Sequence, residues 1–283
     1  TIGNFAGYFL KNGSTNILIG QEAGLKVNQH NLIFIGKEAG RVNTTGANNL
    51  FIGTEAGKAN TEGFNNTFVG RGAGQANTTA DSNTFIGDVA GGAVTTGGNN
   101  IMIGHLAGDA FDTESNNLAI GKAALGGPIA GGENNVAIGN FTLDALTSAD
   151  MNTAVGYQAG SAVTTGDGNV LVGHQAGLAV TGAGAYNVCL GTQAGLAITT
   201  GIRNTMVGQA GYQFDTENDN LAIGHNALAG AVAGGEFNVA IGNFALDALT
   251  SGDFNTAVGY QAASANTTGI NNVVIGRSAN PTQ

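Results

Sequence analysis

Charge is scarce in this sequence. Asp, Glu, Lys and Arg together make up 10% of the residues, against about 25% in an ordinary globular domain. What charge there is leans acidic, with 19 Asp and Glu against 9 Lys and Arg and a formal net charge of −10. No run of Lys or Arg exists, so the basic footprint that a phosphate backbone requires is missing and nucleic acid is not expected as a partner. No apolar stretch approaches the ~20 residues of a membrane helix, so no membrane insertion is expected of this segment. The single cysteine, Cys189, cannot close a disulfide within the chain. Trp is absent and Pro occurs only 2 times.

The residues of catalysis are equally thin. His30, His105, His174 and His225 are scattered along the chain. No Gly-rich loop ends in Lys followed by Ser or Thr, so phosphate binding is not expected. Neither an enzyme nor a cofactor is expected. What abounds is Gly, 49 of 283 residues, beside 42% apolar residues. That apolar content, set in a regular pattern, argues against disorder, because a disordered chain lacks the surface to offset its ordering entropy.

The pattern is a repeat. Three apolar residues and a Gly recur throughout, with the Gly at Gly20, Gly36, Gly53, Gly70, Gly87, Gly104, Gly121, Gly139, Gly156, Gly173, Gly191, Gly208, Gly224, Gly242, Gly259 and Gly276. Successive spacings are 16, 17 or 18 residues. A short fixed period sustained along a chain marks an architecture of stacked units. A longer repeat lies over it: the text around Asn152 returns around Asn255, 103 residues on, as if a block of coils had been duplicated. Residues 1–283 therefore read as a single repeat domain. The opening "TIGNFAG" starts mid-unit, so the chain is expected to be a segment of something longer.

Each unit is too short for a βαβ crossover or a helix pair. It reads as a strand, a Gly corner, a tight stretch of small side chains and a polar turn such as "NTTG". The expected fold is all-β: a parallel β-solenoid, or β-roll, of about 17-residue coils whose strands stack ~4.8 Å apart into a rod of about 75–80 Å. Before the triplet stands Asn in every complete unit except the one with Leu32: Asn49, Asn66, Asn83, Asn100, Asn117, Asn135, Asn152, Asn169, Asn187 and Asn204 among them. Stacked coil on coil, these are expected to form a hydrogen-bonded ladder; the alternative is that each sets only its own turn.

The triplet itself poses a problem. Its first and third residues share a strand face, read here as the buried one, and the middle residue points the other way. That middle row is Leu18, Phe34, Phe51, Phe68, Phe85, Met102, Ala119, Ala137, Ala154, Leu171, Cys189, Met206, Ala222, Ala240, Ala257 and Val274, none of it polar. An outward stripe of this length exceeds what a soluble monomer exposes, so the row from Phe34 to Ala257 is expected to be an oligomer interface covered by further copies of the chain. Bulk later in the Ala-bearing units, at Phe141, Leu143, Tyr157, Phe244, Leu246 and Tyr260, is expected to compensate for the small residues. The opposite assignment puts the middle side chains in the lumen.

The elements "NTAVGYQAG", "NVAIGNF" and "NNVVIG" resemble the head repeats of trimeric autotransporter adhesins, and also the repeat arrays of bacteriophage tail fibres. The resemblance covers essentially the whole chain. It implies a left-handed parallel β-roll, three chains about a common axis, and an extracellular, cell-surface or virion-surface location. Two function classes follow: the shaft or head of a surface adhesin or tail fibre, meeting a host-surface or matrix ligand, or the subunit of a self-assembling extracellular filament or matrix. Three lesser readings remain. Glu22, Glu38 and Glu55 recur in successive units and could line up carboxylates for Ca²⁺, although Lys37 and Lys58 favour a solvated mixed-charge face. Paired Thr at the turns (Thr44–Thr45, Thr78–Thr79, Thr95–Thr96) weakly suggest an ice-binding array. "NTT" at Asn43, Asn77 and Asn266 matches the glycosylation pattern, where turn formation is sufficient explanation.

Overall fold

A computed structural model describes residues 1–127, 132–213, 215–230 and 235–280. The chain is an all-β parallel solenoid whose described residues hold sixteen strands of 3 residues each, one to a coil. It divides into two compact units, Thr1–Phe141 and Thr142–Gln283. The first holds β1 (Ile17–Ile19) to β8 (Val136–Ile138), the second β9 (Thr153–Val155) to β16 (Val273–Ile275). Within each unit every strand pairs in parallel with the next, residue on equivalent residue: Ile33↔Leu50, Phe34↔Phe51 and Ile35↔Ile52 in the first, Leu221↔Val239, Ala222↔Ala240 and Ile223↔Ile241 in the second. The register is that of the glycine alignment, so each position of the unit becomes a row running along the stack.

The corners rest on backbone that most residues avoid. Gly53, which ends β3 (Leu50–Ile52), has φ 139°, and a Cβ there would run into the carbonyl oxygen of Gly70 in the next coil. Two further left-handed residues follow, Glu55 at φ 62° and Gly57 at φ 56°, and one precedes the strand, Asn48 at φ 56°. Hydrogen bonds then run from coil to coil all around the section, for example Leu50 N–H to Asn66 O at 2.9 Å and Gly57 N–H to Ala73 O at 3.0 Å.

The lumen overturns one expectation. Phe34, Phe51, Phe68, Phe85, Met102, Ala119, Ala137, Ala154, Leu171, Cys189, Met206, Ala222, Ala240 and Ala257 are all fully buried within their own chain; they are the core, and no outward interface is made of them. Alternation correctly puts the middle residue opposite its two neighbours, but a strand of three residues on a narrow coil turns its one central side chain inward and its two flanking ones outward. Phe34, Phe51, Phe68 and Phe85 form a stack in the lumen, with centroids 4.7 to 4.8 Å apart and planes within 6°.

Volume compensation is real, but it operates inside the lumen. Where the middle residue is large, Gly stands opposite: a Cβ on Gly57 would lie 2.5 Å from the Phe51 ring, and one on Gly91 would lie 2.6 Å from Phe85. In four of the six coils whose middle residue is Ala, Leu takes that place, among them Leu125 in the coil of Ala119, Leu228 in that of Ala222 and Leu246 in that of Ala240, all fully buried. These Leu residues hold left-handed backbone, φ 50°, 49° and 52°, a strain of about 1–2 kcal/mol each. Leaving the space empty would cost more, since a lost Leu side chain costs about 2–5 kcal/mol. Leu143 and Leu246 thus carry the compensating bulk in the core, whereas Tyr157 and Tyr260 are exposed.

Candidate functional site

The Asn row lines the lumen beside the strands. Each side-chain oxygen accepts the backbone N–H of the next Asn: Asn49 from Asn66 at 2.9 Å, Asn66 from Asn83 at 2.9 Å, Asn83 from Asn100 at 2.8 Å, then Asn100 from Asn117 and Asn117 from Asn135. In the second unit Asn169, Asn187 and Asn204 continue from Asn152 in the same way. The bond runs from side chain to backbone, and in the second unit the side chains also bond one another, Asn169 Nδ2 donating to Asn152 Oδ1 at 3.1 Å and Asn187 Nδ2 to Asn169 Oδ1 at 3.2 Å. Nδ2 groups of the row also hold turn carbonyls, as Asn49 does with Gly63 O at 2.7 Å and Asn187 with Gly201 O at 2.8 Å. This ladder is structural and buried, so surface recognition falls to what lies outside it.

Two rows face outward along the strands, with an edge row on either side. The first and third residues of each triplet, such as Leu50 and Ile52 or Thr67 and Val69, are half-buried, and Ile101 and Val172 are exposed. The third-residue row is Ile, Val or Leu in every strand. The row just before the ladder Asn forms one edge of this face. In the first unit it is a second, exposed amide ladder, Asn31 Nδ2 to Asn48 Oδ1 at 3.0 Å and Asn48 Nδ2 to Asn65 Oδ1 at 3.2 Å. In the second unit it becomes Met151, Gly168, Tyr186, Arg203, Asp219, Phe237 and Phe254. Met151 is 58% exposed, Tyr186 59%, Phe237 46% and Phe254 55%. Arg203 grips Asp219 with two hydrogen bonds of 2.6 and 2.7 Å, and that guanidinium holds the Asp219 carboxyl below its ordinary range. The opposite edge, the residue after the coil Gly, includes Arg71, paired with Asp88 at 2.8 Å, and Tyr157, stacked with His174.

Sequence reasoning passed over the row before the ladder. Its signal was the recurrent Asn–Asn dipeptide, as at Asn48–Asn49, Asn65–Asn66 and Asn99–Asn100, whose first Asn sits at left-handed φ (56°, 58° and 59°).

The lesser readings resolve by geometry. Glu22 pairs with Arg41 at 2.7 Å, Glu38 with Lys58 at 2.8 Å and Glu55 with Lys58 at 3.0 Å. The hydrogen bond from Lys58 lowers the Glu38 pKa. This column is an ion ladder, and among the described residues no three His, Cys, Asp or Glu are placed to hold a metal. In the turn pairs that begin at Thr44, Thr78 and Thr95 the first Thr donates to the next coil, Thr44 to Thr61 O at 3.0 Å, Thr78 to Thr95 O at 3.1 Å and Thr95 to Asp112 O at 3.3 Å, so its hydroxyl proton is committed internally. Asn43 and Asn77 are fully buried, which places two glycosylation-pattern side chains in the lumen. An open cavity of about 310 Å³ lies among Phe5, Tyr8, Phe9, Leu25, Glu22 and Arg41; its only charges satisfy each other. Burial pushes the Cys189 thiol up to about 12, which leaves it inert.

No family model, curated protein or solved structure matches the chain. Among the described residues no helix is long and apolar enough to cross a membrane.

Proposed function

We propose that the chain is a structural segment of a surface adhesin or phage tail fibre, in which parallel copies join side by side through their outward strand faces, three to an assembly. Its place is outside the cell or on the virion, as shaft or head, presenting any host-surface or matrix ligand. The observation that carries this is the pair of rows flanking the lumen row, typified by Leu50 and Ile52, the third residue always Ile, Val or Leu and the first apolar except where it is Thr, which stay half-buried or exposed on one chain. In-register rows of this composition favour burial against an equally regular surface, and a further copy is the simplest such surface. The number three comes from the resemblance of the "NTAVGYQA" units to adhesin head repeats.

Sedimentation of the purified chain tests the reading. The wild type is expected at a multiple of its 28.1 kDa mass, and an Ile52→Asp/Val69→Asp variant as a folded single copy. A wild type that sediments as one copy at micromolar concentration overturns the proposal. Electron microscopy separates this from the filament reading, which expects long fibres where discrete particles are expected here.

A further inference from the structure

The outward strand face is narrow. The eight strands of each unit, about 4.8 Å apart and about 10 Å wide, present ~400 Å², and in a closed ring this is divided between two neighbours. A stable contact buries about 800 Å² on each side. The strand rows alone therefore fall short, and the edges must contribute.

In the second unit one edge is built for contact at a cost to the chain's own stability. Met151, Tyr186, Phe237 and Phe254 occupy φ of 57°, 58°, 57° and 56°, a conformation that Asn or Gly adopts with far less strain. Their side chains contribute nothing to the lumen; the gain within the chain is limited to contacts such as the stacking of Phe237 on Phe254 at 5.0 Å. The internal duplication shows that the coil does not require bulk at this place, since Phe237 stands where the first copy has Asn134. Asn116, Asn134 and Met151 return as Asp219, Phe237 and Phe254, while the lumen residues Ala119, Ala137 and Ala154 return unchanged as Ala222, Ala240 and Ala257. Bulky residues held in strained backbone and left exposed are the mark of a surface that works on something outside the fold. The far edge answers in kind, with Tyr157 44% and Tyr260 45% exposed.

We infer that these two edges are the lateral contact between neighbouring copies, Phe254 of one against Tyr260 of the next and Met151 of one against Tyr157 of the next. The inference rests on the side-by-side assembly proposed above. A closed cyclic assembly of parallel copies is a rotation without translation, so each coil meets the same coil of its neighbour. Phe254 precedes β15 (Thr256–Val258) and Tyr260 follows it, on opposite edges of one strand level; Met151 and Tyr157 flank β9 in the same way. Each copy thus offers one member of the pair to each neighbour.

The test is a Phe254→Cys/Tyr260→Cys variant of the full chain, oxidised and run on a non-reducing gel. Within one chain the two positions lie on opposite edges of β15, whose three residues alone span about 10 Å of extended backbone, beyond the ~7 Å limit of a disulfide, and Cys189 is fully buried. A reducible covalent three-copy species, absent from the Phe254→Cys single variant, is the expected result. If sedimentation shows a multi-copy assembly and the double variant does not cross-link, or the single variant cross-links alone, the edge contact is overturned and the side-by-side reading survives. If no multi-copy species forms, both fall.

Discussion

Asn66 donates its backbone N–H to the side-chain oxygen of Asn49, one coil earlier, at 2.9 Å. Its own side chain passes the arrangement on, accepting from Asn83 N–H at 2.9 Å and donating to Ala80 O at 2.8 Å. Asn66→Ala removes both partners inside the lumen wall, and each orphaned buried group costs about 1–3 kcal/mol. The urea midpoint of this variant is expected to fall clearly below that of Asn48→Gly, which changes only the exposed ladder. Equal midpoints would show that the buried ladder contributes nothing to stability.

Phe51 and Gly57 form one packing unit with the composition of Ala119 and Leu125 inverted. Phe51→Ala should cost about 3–5 kcal/mol. Gly57→Leu alone should also destabilise, since its side chain meets the Phe51 ring. Together, Phe51→Ala/Gly57→Leu recreates the Ala–Leu pairing and should regain a large part of the loss, a coupling measurable by a double-mutant cycle in urea. Simple additivity of the two losses would contradict the account of the lumen.

Asn77 occupies a lumen position filled by Val94 one coil on and by Val163 and Val180 in the second unit, all fully buried. Neither its Oδ1 nor its Nδ2 has a hydrogen-bond partner. Burying an unpaired amide is costly, so Asn77→Val is expected to leave the thermal midpoint unchanged or raise it. A fall would mean that the amide holds its turn through a partner such as ordered water.

Burial raises the Asp247 carboxyl pKa above its ordinary value of 3.8, and its Oδ1 is buried without a partner. A raised carboxyl pKa means that the folded state resists ionisation. The resulting cost is present at neutral pH and vanishes below the ordinary value, where the group is protonated folded or unfolded. Asp247→Ser, which copies Ser264 at the equivalent place, is expected to raise the thermal midpoint at pH ~7 and to have little effect through this group near pH 3. Calorimetry at the two pH values decides it.

Much of the fold was legible because it is periodic. The glycine spacing fixes the register, and Ile33↔Leu50 and Leu221↔Val239 are the pairs it predicts. The Asn column marks one side of the coil. Which strand face turns inward was misread, because period-2 alternation separates two faces without saying which is wet, and here both are apolar. Two residues could have decided it. Asn49 and Phe51 are two apart, on the same side of the strand, so a buried Asn ladder requires a buried Phe row. The reciprocity of Phe51 with Gly57 and of Ala119 with Leu125 also has meaning only where both share one confined volume. The edge residues Tyr186 and Phe254 were not legible, since their role depends on a positive φ and on exposure, which no single unit of the sequence displays.

Two coils of the second unit carry small residues at both lumen positions, Ala154 with Gly160 and Ala257 with Ala263. In the first of them the space is filled from outside the coil: a Cβ on Gly160 would lie 2.6 Å from Leu171 and 2.9 Å from Leu143. Such a coil borrows its filling from the layers above and below. Recombination could therefore copy an Ala–Leu or a Phe–Gly layer in tandem without loss, whereas two borrowed layers placed next to each other would open a hole between them. The order of coils along the chain is constrained by this exchange of volume, and lengthening by duplication is restricted to blocks that carry their lenders with them.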